Sequence, residues 1–358
     1  MMLPLIGLTA SQFIASSVVL SVMTGLDYSA AVIVVSIIVT IYAILGGLWS
    51  VTLTDFIQAF LIVFGMAAAI PYALSAVGGW DQVVATLPPE QFSFTGGIGW
   101  KTIIALVVMY TASFTVGQEA VSRYYAARDD KAAVQGSILA AIINFVYAFI
   151  PAVLGLIALS LVTQGIINAD QIMTHGARYA LPVLAIQTMP PILVGLLFSG
   201  IISATMSSAD SDLLGAGSIF GNDIYRVYLK KDATDRQVLI TTRIAMAVVG
   251  LGAMIIALTN KGNIISLLMF SFTLRAGGSF IPYVVGHYWK KASMQGALAS
   301  LIMGSIGVLL VERKIIPFFN FDPIYLGLIL SLISFLIFTY LYPNKRDTTE
   351  LVDEVYNR

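Results

Sequence analysis

A run of about 20 apolar residues is long enough to cross the hydrocarbon core of a bilayer as an α-helix. The sequence contains about ten such runs. Backbone groups inside a bilayer have no water to bond, so each run must satisfy its own hydrogen bonds as a helix. The pattern predicts an all-α, polytopic membrane protein of about ten transmembrane helices. The expected spans are Leu3–Thr24, Ala30–Leu45, Thr52–Ala76, Ile98–Val121, Ala133–Val162, Pro191–Leu214, Val238–Leu258, Ile264–Tyr288, Met294–Leu310 and Ile324–Tyr342.

The composition excludes several classes of protein. Only 11% of the residues are charged and 58% are hydrophobic, whereas soluble domains carry about 25% charged residues. The formal net charge is zero, so no nucleic-acid partner is expected. The chain has no cysteine and two histidines, which excludes disulfides, thiolate metal sites and a multi-histidine zinc site. No nucleophile–base pair stands out, so we expect neither an enzyme nor a cofactor.

The basic residues predict the orientation in the membrane. Thirteen Lys and Arg residues lie in connections on one side of the predicted spans, and five lie on the other side. The more basic side is cytoplasmic in most membrane proteins. We therefore expect a multi-pass protein of the cell membrane, with a transmembrane domain over residues 1–343 and a short cytoplasmic tail over residues 344–358. The thirteen residues are Arg123, Arg128, Lys131, Arg226, Lys230, Lys231, Arg236, Arg243, Lys290, Lys291, Lys345, Arg346 and Arg358.

The sixth run carries a polar stripe in an otherwise apolar helix. Its members recur at steps of three and four residues and so share one helical face. Hydroxyl and carboxylate oxygens are the ligands that hard cations prefer. The stripe therefore predicts a cation site. Its members are Gly200, Ser203, Ser207, Asp210, Ser211 and Leu214, and Ser208 lies beside it.

Two carboxylates have alternative interpretations. The sixth helix either stops near Gly215, which would place Asp210 at its cytoplasmic end, or runs on to Asp223, which would place Asp210 inside the protein, lining a cavity. Asp212 is expected to be solvated or paired with a cytoplasmic base. Asp55 is either an N-cap of the third helix or a carboxylate on a cation path near the cytoplasmic side.

Helix interruptions are the second sign of a transport site, because transporters bind substrates and ions where spanning helices break. The fourth run, MYTASFTVGQEAVSR, is weakened by hydroxyl residues and Gly117. Alternatively, those hydroxyls only bond to the preceding turn. Gly277, Gly278 and Pro282 are expected to break the eighth helix in a similar way.

Arg275 lies within the eighth predicted span, where a guanidinium is costly without a partner. It is either a structural arginine or one side of an ion pair. Asp210 is one expected partner, and a carboxylate on the substrate is the other. Because the guanidinium donates two parallel hydrogen bonds to a carboxylate, Arg275 predicts a substrate that is a small monocarboxylate or an amino acid.

Four segments together resemble the sodium:solute symporter family, which includes sodium/proline, sodium/pantothenate and sodium/glucose carriers. They are YAILGGLWSVTLTDFIQ, GQEAVSRYYAARD, LFSGIISATMSSADSDLL with the trailing NDIY, and GHYWKKASMQGALASLIMG. The resemblance implies a LeuT-like fold of two five-helix inverted repeats with additional outer helices. Matched to that plan, the chain starts at the third core helix. It is therefore expected to lack the N-terminal helices, as a truncated member or a partial gene model would.

The resemblance also implies an ion site. Ser207 and Ser208 match the family's hydroxyl pair that binds the common sodium ion, and Asp55 matches a carboxylate of core helix five. In some members that carboxylate forms a second sodium site with hydroxyls from core helix eight, at the positions of Ser207, Asp210 and Ser211. The backbone carbonyls that core helix one contributes in the family are absent from this chain.

Other roles are carried over from the family in the same way. Arg123 matches an arginine near the carboxylate of Asp55, so the two are expected to form a gate ion pair. Ser113, Phe114 and Gln118 fall near the family's substrate site and inner gate. The aromatic residues of the proline and sugar carriers are not reproduced there, so the resemblance supports neither substrate.

The function implied is sodium-coupled symport of a small organic solute across the cell membrane by alternating access. A carboxylate or an amino acid is the expected kind of solute. Sodium, the solute and the lipid bilayer are the expected partners, and the oligomeric state is left open. Two alternatives remain. One is a transporter-like membrane sensor module, which the short tail disfavours. The other is an incomplete, non-functional fragment of a symporter.

Overall fold

The computed structural model describes residues 1–93, 95–168, 170–260, 264–318 and 321–344, and the side chains of residues 48–50 and 171 are left out. The chain divides into two compact units. Unit 1 contains Met1 and residues 98–125 and 268–358, and unit 2 contains residues 2–97 and 126–267. Of the predicted tail at 344–358, all but its first residue lies outside the described part of the chain.

The described residues form α-helices connected by short turns. Nine helices or continuous helix pairs in this part of the chain are long and apolar enough to cross a membrane, and a bent pair raises that number to ten. The expectation of about ten spans is therefore confirmed. The helices are α1 (Met2–Thr24), α2 (Tyr28–Val77), α3 (Trp80–Thr86), α4 (Gly99–Thr115), α5 (Gln118–Ala126), α6 (Asp130–Tyr147), α7 (Phe149–Thr163), α8 (Asp170–His175), α9 (Ala180–Thr188), α10 (Pro191–Ser218), α11 (Asp235–Thr259), α12 (Ile264–Tyr288), α13 (Met294–Glu312) and α14 (Pro323–Leu341).

Two predicted spans are the two halves of α2. Gly47 separates them, with φ +62° and ψ −175° in an otherwise helical backbone. Only glycine adopts such a positive φ without strain. Across this kink the hydroxyls of Tyr42 and Thr54 share a hydrogen bond. The helix resumes before Asp55, which therefore lies within the second half, Val51–Val77, so its interpretation as an N-cap is wrong.

The core of unit 2 forms where the second half of α2 packs against α7, α9 and the start of α10. Met66, Leu154, Leu184 and Phe198 are among its buried side chains. Burying apolar side chains against one another does not by itself hold helices together in lipid, so close backbone contact matters more. Glycines on α2 and α10 allow the backbones of these two helices to touch.

The membrane-facing surface of unit 2 is apolar. In α6 no residue is buried within the described part of the chain, and Ile138, Ile142 and Phe145 are each more than half exposed. A soluble protein would bury such a helix, whereas in a bilayer lipid tails solvate it. These faces agree with a polytopic membrane protein.

Small residues pack α12, α13 and α14 together in unit 1. A Cβ added at Gly277 would lie 2.6 Å from Val308 Cγ2, and one at Gly304 would overlap the carbonyl oxygen of Gly277. The helix α12 is continuous from Ile264 to Tyr288 and includes Pro282. The predicted break at Gly277 and Gly278 is therefore wrong, because these glycines admit neighbouring helices and do not interrupt their own.

We expect Gly304→Ala to destabilise unit 1 by about 1–3 kcal/mol, the usual range for overpacking. The new methyl group would meet the backbone of α12, which cannot rotate away. Gly286→Ala is the matched control, since a Cβ there meets nothing within 4 Å. It should leave thermal unfolding in detergent unchanged or raise its midpoint slightly, as alanine favours helix. Equal midpoints for both variants would contradict the packing argument.

Candidate functional site

The candidate cation site is built on the contact between α2 and α10. A Cβ at Gly65 would lie 2.7 Å from the carbonyl oxygen of Leu196, and one at Gly200 would lie 2.8 Å from that of Leu61. Four residues forward on α2 correspond to four residues backward on α10, so the helices run antiparallel. Their backbones are in direct contact at both points because glycine leaves no side chain between them.

If this antiparallel register is followed for two more turns, polar residues of α2 lie opposite polar residues of α10. Gln58 of α2 is level with Ser203 of α10, and Thr54 is level with Ser207. At about 100° per residue, Thr54 and Gln58 point within about 20° of the Gly65 direction, whereas Asp55 points about 80° away. The polar stripe of α10 therefore continues the glycine contact, with Asp55 at its flank.

The α10 hydroxyls bond to their own helix. Ser208 donates to the Ala204 carbonyl at 3.1 Å, and Ser211 donates to the Ser207 carbonyl at 2.8 Å. Bonding to the preceding turn, the alternative raised for the fourth span, thus occurs at these two hydroxyls of α10 as well. It does not exclude a cation, because a hydroxyl that donates its proton to the backbone keeps its lone pairs for another partner. Ser207 is half-buried and Ser208 is exposed.

Asp210 is completely buried on α10. Its Oδ1 lies 3.3 Å from the Ser211 hydroxyl, as a second and longer contact of the proton that bonds to the Ser207 carbonyl. The helix continues past Gly215 to Ser218 and then as a π-helix over Ile219–Leu229. The interpretation in which it stops near Gly215 is therefore wrong, and Asp210 lies inside the protein.

The expectation that Asp212 is solvated is wrong. This carboxylate is buried, with 5% of its surface exposed, so it is not solvated. The longer helix accounts for this, because Asp212 lies well before the end of α10 and not at a frayed terminus. Burying two carboxylates within one helical turn is costly unless each has a partner.

The two residues of the predicted gate pair belong to different units. Asp55 is half-buried on α2 in unit 2. Arg123 lies on α5, in unit 1, where its guanidinium donates to the Glu119 carbonyl oxygen of its own helix. The ion pair between Asp55 and Arg123 stays a prediction.

In unit 1, the predicted interruption of the fourth span is confirmed. The helix α4 ends at Thr115, α5 begins at Gln118, and their axes differ by 46°. Thr115 bonds to the carbonyl of Thr111 at 2.7 Å, but Ser113, which is completely buried, has a partner on another helix.

That partner is Arg275 of α12, which is 1% exposed. Its Nε donates to Ser113 Oγ at 2.8 Å. Its Nη1 donates to both carboxylate oxygens of Glu119, at 2.7 and 2.9 Å. Ser113 precedes the break and Glu119 follows it, so one guanidinium joins both halves of the bent span to α12.

Glu119 is the partner of Arg275 that the sequence reasoning missed. The expected partners were Asp210, which lies in unit 2, and a substrate carboxylate. The available signal was a carboxylate two residues after Gly117, in a polar stretch of a spanning helix. A Cβ at Gly117 would lie 2.7 Å from Glu119 Oε1, so this glycine leaves room for the carboxylate to fold back over the break.

The Arg275 guanidinium has further neighbours. Its central carbon lies 5.9 Å from the Phe114 ring centre and 5.2 Å from that of Phe272, close enough for cation–π attraction. Its Nη2 is buried and makes no hydrogen bond within the described part of the chain. Gln118, the first residue of α5, is half-buried. Substrate binding by Arg275, Ser113, Phe114 and Gln118 stays a prediction.

Comparisons with known proteins identify relatives of the chain. It is 28% identical over 349 residues to a sodium/pantothenate symporter of Haemophilus influenzae, an alignment that covers 95% of this chain and 70% of that protein. It is 24% identical to a sodium/proline symporter of Escherichia coli, covering 88% of this chain and 64% of that protein. The human high affinity choline transporter 1 is 29% identical, with 82% of this chain and 52% of that protein covered. The chain thus spans about half to 70% of the relatives' lengths.

A solved structure shares the fold. It is a substrate-bound, outward-open Na⁺-coupled sialic acid symporter, matched with a TM-score of 0.76 at 23% identity over 96% of this chain and 74% of that one. The expected LeuT-like fold is confirmed. The model of the sodium:solute symporter family matches residues 1–304. With most of its length matched by that model, this chain belongs to the sodium:solute symporter family.

Proposed function

We propose that the protein carries out sodium-coupled symport of a small organic solute across the cell membrane by alternating access. The observation that carries this proposal is the polar stripe of α10, with Ser207, Ser211 and buried Asp210, packed antiparallel against the helix that bears Asp55. In a chain of the sodium:solute symporter family, such a set of oxygen ligands suits sodium, which is a hard cation.

The proposed sodium site uses two kinds of ligand. Ser207, Ser208 and Ser211 offer neutral hydroxyl oxygens, and Asp55 and Asp210 offer charge. Two carboxylates near one cation bind it more tightly than hydroxyls alone. When the cation leaves, the two negative charges repel each other. Occupied and empty sites therefore favour different conformations, and a conformational change can be coupled to sodium binding in this way.

Gln58 is a further oxygen donor in this proposal. It is half-buried on the α2 face that meets α10, level with Ser203. Its Oε1 is buried and has no hydrogen-bond partner within the described part of the chain. An amide oxygen is a good ligand for a hard cation. It therefore adds a neutral ligand on the α2 side of the site.

The proposed substrate is a small solute that bears a carboxylate. The donor is Nη2 of Arg275, which the ion pair with Glu119 leaves without an acceptor in the described part of the chain. Relatives are named for pantothenate and proline, both of which contain a carboxylate. The human relative is named for choline, a cation, so the family includes other substrates.

Uptake into proteoliposomes made with the full chain tests this function. Labelled carboxylate solutes, including proline and pantothenate, should accumulate under an inward sodium gradient and fail to accumulate under an equal potassium gradient. Choline should not accumulate. Accumulation that is equal in sodium and potassium would contradict sodium coupling. Accumulation of choline but no carboxylate would reject the substrate class and leave the coupling intact.

The proposed orientation places the α5–α6 connection in the cytoplasm. The chain has no cysteine, so Ala127→Cys would introduce a single thiol beside the exposed Arg128. An impermeant maleimide added to intact cells should leave this thiol unlabelled and should label it after permeabilisation. Ser93→Cys lies before the bent α4–α5 span and Ala127 lies after it, so Ser93→Cys is the control and should label in intact cells. The reverse pattern would overturn the orientation.

A further inference from the structure

A cavity of about 390 Å³ opens in unit 2, beside the turn between α1 and α2. Asp27 and Tyr28 line it from that turn. His175, Arg178 and Tyr179 line it from the segment that precedes α9. Its volume lies within the range of about 300–1,000 Å³ that is typical of small-molecule sites. None of these residues belongs to the proposed sodium site or to the cluster around Arg275.

Arg178 is held in place within this cavity. Its Nε donates to the His175 carbonyl oxygen at 3.1 Å. The guanidinium carbon lies 5.1 Å from the centre of the Tyr28 ring and 5.8 Å from that of Tyr179, so both rings attract the cation. Its Nη1 is buried and makes no hydrogen bond within the described part of the chain. The cavity therefore presents a fixed guanidinium that interacts with the Tyr28 hydroxyl and whose Nη1 lacks an acceptor within the described part of the chain.

An anionic group lines the same cavity. Asp27 Oδ2 accepts a hydrogen bond from the Ser29 amide at 2.8 Å and so caps α2. A carboxylate has about four acceptor positions, so it can bind further donors. Burial raises the pKa of the Tyr179 hydroxyl, Arg178 opposes this shift and Asp27 adds to it. Arg178 and Asp27 thus both act on the Tyr179 hydroxyl.

The pairing of charges selects the kind of ligand. The charges of the one Asp and the one Arg in the lining offset each other. A multiply charged anion such as phosphate would find one cation opposed by one carboxylate. A zwitterion would match both groups, with its carboxylate on Arg178 and its ammonium group near Asp27 and the tyrosine ring faces. Aromatic faces attract ammonium groups as well.

We propose that this cavity is a second solute site, which binds a small zwitterion that carries both a carboxylate and an ammonium group. Arg178 binds the carboxylate and Asp27 binds the ammonium end. The site is separate from the residues proposed for transport, and its described lining offers no sodium ligand set of the kind found on α10. Binding there is therefore independent of sodium.

Binding to the purified full chain in sodium-free potassium buffer tests the proposal. Three probes of one ring size separate the charges: L-proline carries both, cyclopentanecarboxylate only the anion, and pyrrolidine only the cation. Proline should bind, and each analogue should bind at least about tenfold more weakly, since each loses one charge-assisted contact. Saturation-transfer NMR with proline titration gives the three affinities.

Single substitutions test whether proline binds in this cavity. Arg178→Gln should weaken proline binding at least about tenfold by removing a charge-assisted contact. Asp27→Asn should weaken it while preserving the helix cap, because asparagine caps as well as aspartate. Arg128→Gln, which removes an exposed arginine elsewhere in unit 2, is the matched control and should bind normally. If Arg178→Gln fails to fold, Leu26→Trp serves instead, because it fills the cavity from a partly exposed position.

Several results would overturn the second site. They are the absence of proline binding without sodium, equal binding of proline and its two analogues, or normal binding by both Arg178→Gln and Leu26→Trp. Sodium-driven uptake would be untouched by these results, because it depends on other residues. Conversely, failure of sodium-driven uptake with intact sodium-free binding would reject the proposed transport function alone.

Discussion

Replacing Glu119 by alanine is expected to lower the free energy of unfolding by about 3 kcal/mol, because it leaves a buried guanidinium without its carboxylate. Arg275 is 1% exposed, so water cannot replace the lost carboxylate. The expected value is at the low end of the range for broken buried ion pairs, since 20% of the Glu119 side chain is exposed to solvent. Thermal unfolding in detergent, followed by intrinsic fluorescence, measures the loss.

A double-mutant cycle separates the ion pair from other effects of the mutation. Arg275→Met combined with Glu119→Leu removes both charges together and should recover most of the loss, because apolar residues often replace a buried pair without penalty. Additive losses in the double variant would contradict a direct pair. Arg128→Gln is the control. It breaks a 3.0 Å pair with Asp129 in which both side chains are exposed, and should leave thermal unfolding nearly unchanged, because water and salt screen exposed pairs.

Ser207→Ala is expected to raise the sodium concentration for half-maximal uptake about tenfold, which corresponds to about 1.4 kcal/mol. The variant removes one neutral ligand and leaves the carboxylates in place. Asp55→Asn should have a larger effect, because it removes a charge from the proposed site and keeps its shape. The sodium dependence of labelled solute uptake in proteoliposomes measures both shifts.

The matched control deletes a hydroxyl from a different helix. Ser137 lies exposed on α6 and donates only to the carbonyl of its preceding turn among the described contacts, at 2.8 Å. Ser137→Ala should therefore leave sodium dependence unchanged. Unchanged sodium dependence in both Ser207→Ala and Ser208→Ala would end the assignment of the α10 hydroxyls to the ion.

Sequence reasoning predicted the helices well, because the bilayer forces apolar runs of a fixed length into helices. The kink at Gly47 and the break before Gln118 also had local signals, in a glycine and a weakened apolar pattern. The glycines of α12 carried the same signal with the opposite outcome. Whether a glycine bends its helix or admits a neighbour depends on the helices packed against it, here α13 and α14.

The candidate site was predicted only in part, because contacts between different helices cannot be read from the pattern of one helix. Periodicity alone placed Ser207, Asp210 and Ser211 on one face of α10, because that relation is internal to one helix. The partner of Arg275 was not predictable, since Glu119 is 156 residues away in sequence. Gln58 was missed because its proposed role depends on the register between α2 and α10, which the contacts at Gly65 and Gly200 determine.

The most direct test of sodium coupling is the entry of ²²Na⁺ into proteoliposomes in response to solute. Linkage requires that a solute which is carried with sodium also promote sodium entry. A transported carboxylate should therefore increase ²²Na⁺ entry in the unmodified protein, and Asp55→Asn should abolish the increase. Solute entry without any increase in ²²Na⁺ entry would contradict the proposal that this chain is a sodium-coupled symporter.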